Sequence, residues 1–137
     1  MKHWIFIAST KTFRMDEWLA ENDFVEYHQR NKVCVGDIVY LYVTRPYCKI
    51  KYKMVVERIN IPLNEIVDDS AYSTRQEPAV YDKDDKFFRL KLLQKTSSSN
   101  LHLDCLREHG IKGHMQNNFT ISGELLEYVE KQFSEME

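Results

Sequence analysis

The chain has 137 residues, a formal net charge of -2 and a 43% hydrophobic, 12% aromatic composition. That length suits one compact domain with a core, and the composition excludes a disordered or collagen-like chain. The charge excludes broad electrostatic coating of nucleic acid. No window approaches the roughly 18 apolar residues of a membrane span, and three cysteines without a CxxC pair suggest neither a zinc cluster nor a disulfide framework. A soluble protein of a reducing cytoplasm, with no membrane association, is expected.

Residues 3–8, HWIFIA, form an apolar run rich in aromatic and β-branched residues and predict a buried first strand. Phe13, Met15, Trp18 and Leu19 follow at roughly helical spacing, with Asp16 and Glu17 early, which predicts a short amphipathic helix. Residues 24–31 read as a loop or edge segment. Gly36 and Asp37 supply turn chemistry before residues 38–44, where Ile38, Tyr40, Tyr42 and Thr44 share one face and Val39, Leu41 and Val43 the other. Both faces are apolar, so a central strand is predicted.

Residues 49–56 alternate, with Ile50, Tyr52, Met54 and Val56 on one face and Lys49, Lys51 and Lys53 on the other. Pro62 opens a long irregular stretch that reaches Lys86 and carries Glu65, Asp68 and Asp69, the kind of loop that is often functional or mobile. Residues 87–95 predict another strand, with Phe88, Leu90 and Leu92 on one face. Residues 101–121 assign poorly, with a helical turn around 104–109 closed by Gly110. Ser122 is an N-cap residue type, and Leu125, Leu126, Val129 and Phe133 recur at helical spacing, so a C-terminal helix is predicted.

These elements describe one α+β domain over residues 1–137: a curved sheet or small β-barrel flanked by helices, with a C-terminal helix. Charge is uneven along it. Arg45, Lys49, Lys51, Lys53 and Arg58 face only Glu57, whereas residues 124–137 hold five glutamates against Lys131.

Three pieces carry a family resemblance: HWIFIAST at the start, VGDIVYLYVTR some 35 residues in, and NNFTISGELLEYVEKQF near the end. Together they resemble the EVE domain, a PUA-like relative of the YTH and ASCH domains. His3 and Trp4 would open the first strand, Gly36 and Asp37 would feed the aromatic strand of Tyr40 and Tyr42, and residues 122–133 would close the domain. The chain departs from many EVE-like sequences at Ser9-Thr10-Lys11 and at Thr44-Arg45-Pro46.

The resemblance implies a non-catalytic nucleic-acid-binding module that holds a modified, flipped-out or single-stranded nucleobase in an aromatic-lined pocket. Its partner would be DNA or RNA carrying that base, with a nuclease or other prokaryotic defence protein as a possible associate. Aromatic faces, hydrogen-bonding groups and a phosphate-binding cation suffice for such recognition. The expected pocket residues are Trp4, Ser9, Thr10, Tyr40, Tyr42, Thr44, Gln116, Asn118 and Phe119. Arg45, Lys49, Lys51 and Lys53 are the expected phosphate contacts. For the tyrosines the competing reading is core packing, and for the lysines a solvated edge strand.

No GxSxG, P-loop, GxGxxG or HExxH motif is present, so no catalytic residue, metal or cofactor is expected. The alternative is a small ASCH-like amidohydrolase acting on a modified nucleoside, with Lys11, Thr12 and Glu57 as the residues such a role would use. A third reading is a protein-interaction module using Glu127 and Glu130 on an exposed helix face.

Overall fold

The computed structural model describes residues 1–77 and 80–134. Pro78 and Ala79 of the expected irregular stretch, and Glu135, Met136 and Glu137 of the acidic end, lie outside the described residues.

In chain order the elements are β1 (His3–Ala8), α1 (Met15–Glu21), β2 (Phe24–His28), β3 (Ile38–Val43), β4 (Lys49–Pro62), β5 (Lys86–Lys95), α2 (Leu103–Glu108), β6 (Phe119–Ile121) and α3 (Gly123–Ser134). The strands form one curled sheet in the order β2-β5-β4-β3-β1-β6. β1 runs parallel to β3, from His3 opposite Ile38 to Ala8 opposite Val43, and every other pairing is antiparallel. The expected α+β curved sheet with a C-terminal helix is therefore the architecture observed.

The unbroken apolar runs of β1 and β3 have a simple cause: both faces of the sheet are covered there. On one face Trp4, Phe6, Val39, Leu41, Met54 and Leu90 pack against Met15, Trp18 and Leu19 of α1. On the other, Ile5, Tyr40, Tyr42 and Ile50 pack beneath Leu106 of α2 and Val129 and Phe133 of α3. The i, i+3, i+4 spacing of Met15, Trp18 and Leu19 buries one stripe of α1. Val129 and Phe133, one turn apart, do the same for α3.

The structure corrects the single lysine face expected over residues 49–56. Leu41 pairs with Tyr52 but Tyr42 pairs with Ile50, so Lys51 is an extra residue in β4. Such a bulge reverses the side to which later residues point. Ile50 consequently enters the core under α3, whereas Tyr52, Met54 and Val56 enter the core over α1. Further register shifts between β4 and β5 bend the same pair of strands. Residues 24–28, read as loop or edge, form the edge strand β2, and the unassigned region resolves into α2 and β6.

Asp37 ties the first motif to the second. Its carboxylate accepts from the Lys2 amide at 2.9 Å, the Cys34 amide at 3.0 Å and the Trp4 indole Nε1 at 3.1 Å. Burial alone would raise its pKa, but these donors outweigh that and hold it below its ordinary value. Asp37 therefore does more than make a turn: it anchors the start of β1.

Candidate functional site

The long connection between β4 and β5 is a wall. It is built from two single-turn 3-10 helices at Leu63–Glu65 and Ser70–Tyr72 and fastened to the segment after β1. The Thr74 amide donates to the Thr12 carbonyl at 3.1 Å and the Arg14 amide to the Tyr72 carbonyl at 2.9 Å, with an isolated bridge between Phe13 and Ser73. Near its start, the Val67 amide donates to Glu26 of β2 at 2.7 Å.

Between this wall, the end of β1 and β2 lies a cavity of about 870 Å³. Partly buried Phe13 and Tyr27 supply aromatic surface beside the almost fully buried Phe6 and Phe88, while Ser9, Thr12, Asn31 and Asn118 supply hydrogen-bonding groups. Asn118 is fixed in place: its Oδ1 accepts from the Ile7 amide at 2.9 Å and its Nδ2 donates to Asn31 Oδ1 at 3.1 Å. Phe6 meets Tyr27 edge to face at 5.8 Å, and Tyr27 stacks on Phe88 at 5.9 Å. The Tyr27 hydroxyl is buried and has no hydrogen-bond partner among the described residues. Burial pushes this phenol well above its ordinary pKa, so it stays protonated.

The lining also carries Glu26, Asp68 and Asp69 together with Arg30 and Arg75. Glu26 is neutralised by Arg89, whose Nε and Nη2 lie 3.1 and 2.8 Å from the same oxygen. Burial first, then the charges of Glu26 and Asp68, raise the Asp69 carboxyl above its ordinary value. Arg30 donates to His28 Nδ1 at 3.0 Å, and neither Arg30 nor Arg75 forms an ion pair among the described residues.

Of the nine residues expected to form a base pocket, the structure brings Ser9 and Asn118 to this cavity. Tyr40 and Tyr42 point to the opposite face of the sheet, because β3 alternates and that side is sealed by α2 and α3. The Tyr40 hydroxyl donates to Glu130, which also receives Lys53 at 2.9 Å, and Tyr42 lies beside the Cys48 thiol. Trp4 is buried against Asp37. Thr10 and Thr44 join the ends of β1 and β3, the Thr10 amide donating to Thr44 Oγ1 at 3.0 Å. Gln116 and Phe119 line a second cleft of about 680 Å³ with His109, Lys112 and Glu124.

The expected phosphate contacts divide as well. Lys51 is paired with Asp16 of α1 at 2.5 Å and lies 3.9 Å from the centre of the Tyr47 ring; Lys53 is paired with Glu130 of α3. Lys49 donates to the Ser97 carbonyl at 3.1 Å, and Arg45 is exposed without an ion pair among the described residues. Glu130, expected on the outer side of the terminal helix, instead turns to the sheet, where Tyr40 and Lys53 hold its carboxyl below its ordinary pKa against the opposing effect of burial. Thr12 lines the cavity, while Lys11 and Glu57 are exposed and lie outside its lining.

Phe6, Tyr27, Arg30 and Arg75 were not singled out from sequence. The one sequence signal for Tyr27 is the alternation of Phe24-Val25-Glu26-Tyr27-His28, in which Val25 and Tyr27 share a face. Among the described residues no three His, Cys, Asp or Glu side chains converge as metal ligands, and no helix is long and apolar enough to cross a membrane.

This sheet and its flanking helices have the fold seen in ASCH from Zymomonas mobilis and in human THYN1. The chain is similar to ASCH from Zymomonas mobilis, with 13% identity, 96% of each chain covered and a TM-score of 0.66. It is equally similar in fold to human THYN1, whose structure is a complex with 5-methylcytosine-containing DNA: 8% identity, 96% of this chain and 97% of that chain covered, TM-score 0.66. A hypothetical protein from Leishmania major matches at 16% identity over 98% of this chain and 96% of that chain, with a TM-score of 0.66. No protein-family model and no curated protein sequence matches the chain.

Proposed function

We propose that this protein is a non-catalytic nucleic-acid-binding module that takes a modified nucleobase, flipped out or single-stranded, into the cavity between β1, β2 and the β4–β5 connection. The observation that carries this reading is the composition of that cavity: aromatic rings and fixed hydrogen-bonding groups inside, with Arg30 and Arg75 lacking carboxylate partners among the described residues. Rings stack on a base, amides and hydroxyls meet its edge, and free guanidinium groups meet phosphates. The likeness in fold to a protein bound to methylcytosine DNA supports the same reading.

In this proposal Ser9 and Asn118 remain base contacts and Arg45 remains a phosphate contact. Arg30 and Arg75 take the place of Lys51 and Lys53, whose charges are already matched within the protein. DNA or RNA with the modified base is the partner, and coupling to a nuclease or another defence protein in a reducing cytoplasm belongs to the same proposal. The amidohydrolase alternative draws on the likeness to ASCH proteins, but the exposure of Lys11 and Glu57 outside the cavity weighs against that residue set.

The test is fluorescence anisotropy with short DNA and RNA, single- and double-stranded, carrying methylated, hydroxymethylated or unmodified bases. Binding that depends on the modification and weakens in Asn118→Ala, with the variant still folded, supports the proposal. Equal binding to modified and unmodified oligonucleotides, or none at all, refutes it.

A further inference from the structure

The chain leaving β1 and entering α1 has two sets of side chains. Ser9, Thr12, Phe13 and Met15 line the large cavity. Thr10 and Asp16 instead hold the β3–β4 hairpin: Thr10 Oγ1 donates to the Arg45 carbonyl at 2.6 Å, and Asp16 pairs with Lys51 at 2.5 Å. Tyr47 lies between Arg45 and Lys51 in the chain, and Lys51 Nζ is 3.9 Å from the centre of its ring. Residues 9–16 thus touch the cavity with one set and the loop of Tyr47 with the other.

Tyr40, Tyr42 and Tyr52 are buried in the core, whereas Tyr47 is 41% exposed. Lys51, itself held by Asp16, braces the ring from one side, a cation–π contact that limits its freedom to turn. Lys11 and Arg45 are exposed near it, and neither forms an ion pair among the described residues. Asp16, the carboxylate that these contacts bring to the loop, already receives both Lys51 and the Tyr52 hydroxyl. An accessible, braced aromatic ring beside unmatched cations is the combination on which single-stranded nucleic acid stacks its bases.

We infer that Tyr47 is a stacking platform for an unpaired nucleobase that flanks the base held in the cavity, with Lys11 and Arg45 meeting phosphates of the same strand. This rests on the base-binding reading proposed above and adds a second subsite, on the far side of residues 9–16. It also selects the ligand class. A neighbouring base can leave its own stack for Tyr47 only where no complementary strand holds it, so the preferred partner is single-stranded. Every base has a π face, so this subsite adds affinity without reading sequence.

The experiment measures anisotropy of the wild type, Tyr47→Ala and Tyr47→Phe with the single-stranded modified oligonucleotide that the wild type binds most tightly. A second oligonucleotide keeps the modified base but has abasic sites on both sides of it, so its phosphates remain and its flanking bases are gone. For the intact strand, Tyr47→Ala should bind at least about fivefold more weakly, and Tyr47→Phe should match the wild type. The wild type should lose a similar factor on the abasic strand, where Tyr47→Ala should lose nothing further. The salt dependence should be the same in all three proteins, because phosphate contacts are untouched.

Equal affinity of the wild type and Tyr47→Ala for the intact strand overturns the inference and leaves the base-binding reading standing. So does a wild type that binds the intact and abasic strands alike, a result that needs no variant to fold. A Tyr47→Ala defect of the same size on both strands also overturns it, since the ring then acts on something other than a flanking base. Modification-dependent binding of duplex alone overturns it as well. A wild-type protein that binds nothing on the panel refutes the base-binding reading itself, and the inference with it.

Discussion

Replacing Asp37 with alanine is expected to destabilise the protein by about 3 kcal/mol, a value that follows from its three donors. Asp37 is 2% exposed, and each donor loses an ionised acceptor. Lys2 and Cys34 are exposed residues whose amides regain water, so each contributes roughly 0.5–1 kcal/mol. Trp4 is 7% exposed, its indole N–H would be stranded, and that costs about 1–3 kcal/mol. For a domain of this size the sum lowers Tm by roughly 10 °C.

Chemical denaturation of the wild type, Asp37→Ala, Trp4→Phe and the double variant measures both the loss and the coupling. A loss below about 1 kcal/mol, or single-variant effects that add within about 0.5 kcal/mol, would refute the assignment of Asp37 as the anchor of Trp4. The pH dependence gives a second check. The Asp37 pKa is lowered in the folded state, so its contribution is present above the unfolded carboxylate value of about 3.9 and is lost as pH falls through the lowered value. Stabilities of the wild type and Asp37→Asn should therefore converge as the pH is taken below about 4.

Two further outcomes follow from the packing and the charges. Phe133→Ala should cost about 3–5 kcal/mol in chemical denaturation, because this 1%-exposed ring joins α3 to Tyr40 at a centroid distance of 5.7 Å. If a nucleic acid binds at the cavity, Arg30→Ala and Arg75→Ala should each reduce the slope of log affinity against log salt by about 1, whereas Lys51→Met should leave it unchanged. Titration of the binding constant with salt separates the two sets.

Periodicity made most of the fold legible. The runs at residues 3–8, 38–44 and 87–95 and the helical spacing after Ser122 became β1, β3, β5 and α3 with small changes at their ends. The bulge at Lys51 left no trace in the pattern, because both faces of the sheet are apolar and the alternation of Ile50, Tyr52 and Met54 continues through it. Which side of the sheet a strand residue faces is set by pairing, and pairing is a long-range property. Tyr40 and Tyr42 illustrate this: their shared face was readable from sequence, but that α2 and α3 cover it was not.

The cavity was less legible for the same reason. Its walls come from β1, β2, the β4–β5 connection and Asn118, and nothing local to any one of these segments marks them as neighbours. Ser9 and Asn118 stood out through their residue types beside the N-terminal and C-terminal motifs. The state of the Tyr27 hydroxyl is defined by what surrounds it, so it is visible only in the folded chain.

The parallel pairing of β1 also shapes how the molecule is made. β1 is translated before both of its neighbours and occupies an interior place in the sheet, with Ile38 opposite His3 on one side and Ile121 opposite it on the other. Its HWIFIA segment therefore waits on one side for a partner that is translated near the end of the described chain. Contacts so distant in sequence slow folding and leave an unpaired strand edge and apolar side chains open meanwhile. The sheet can be completed only after β6 emerges from the ribosome, long after β1 has done so.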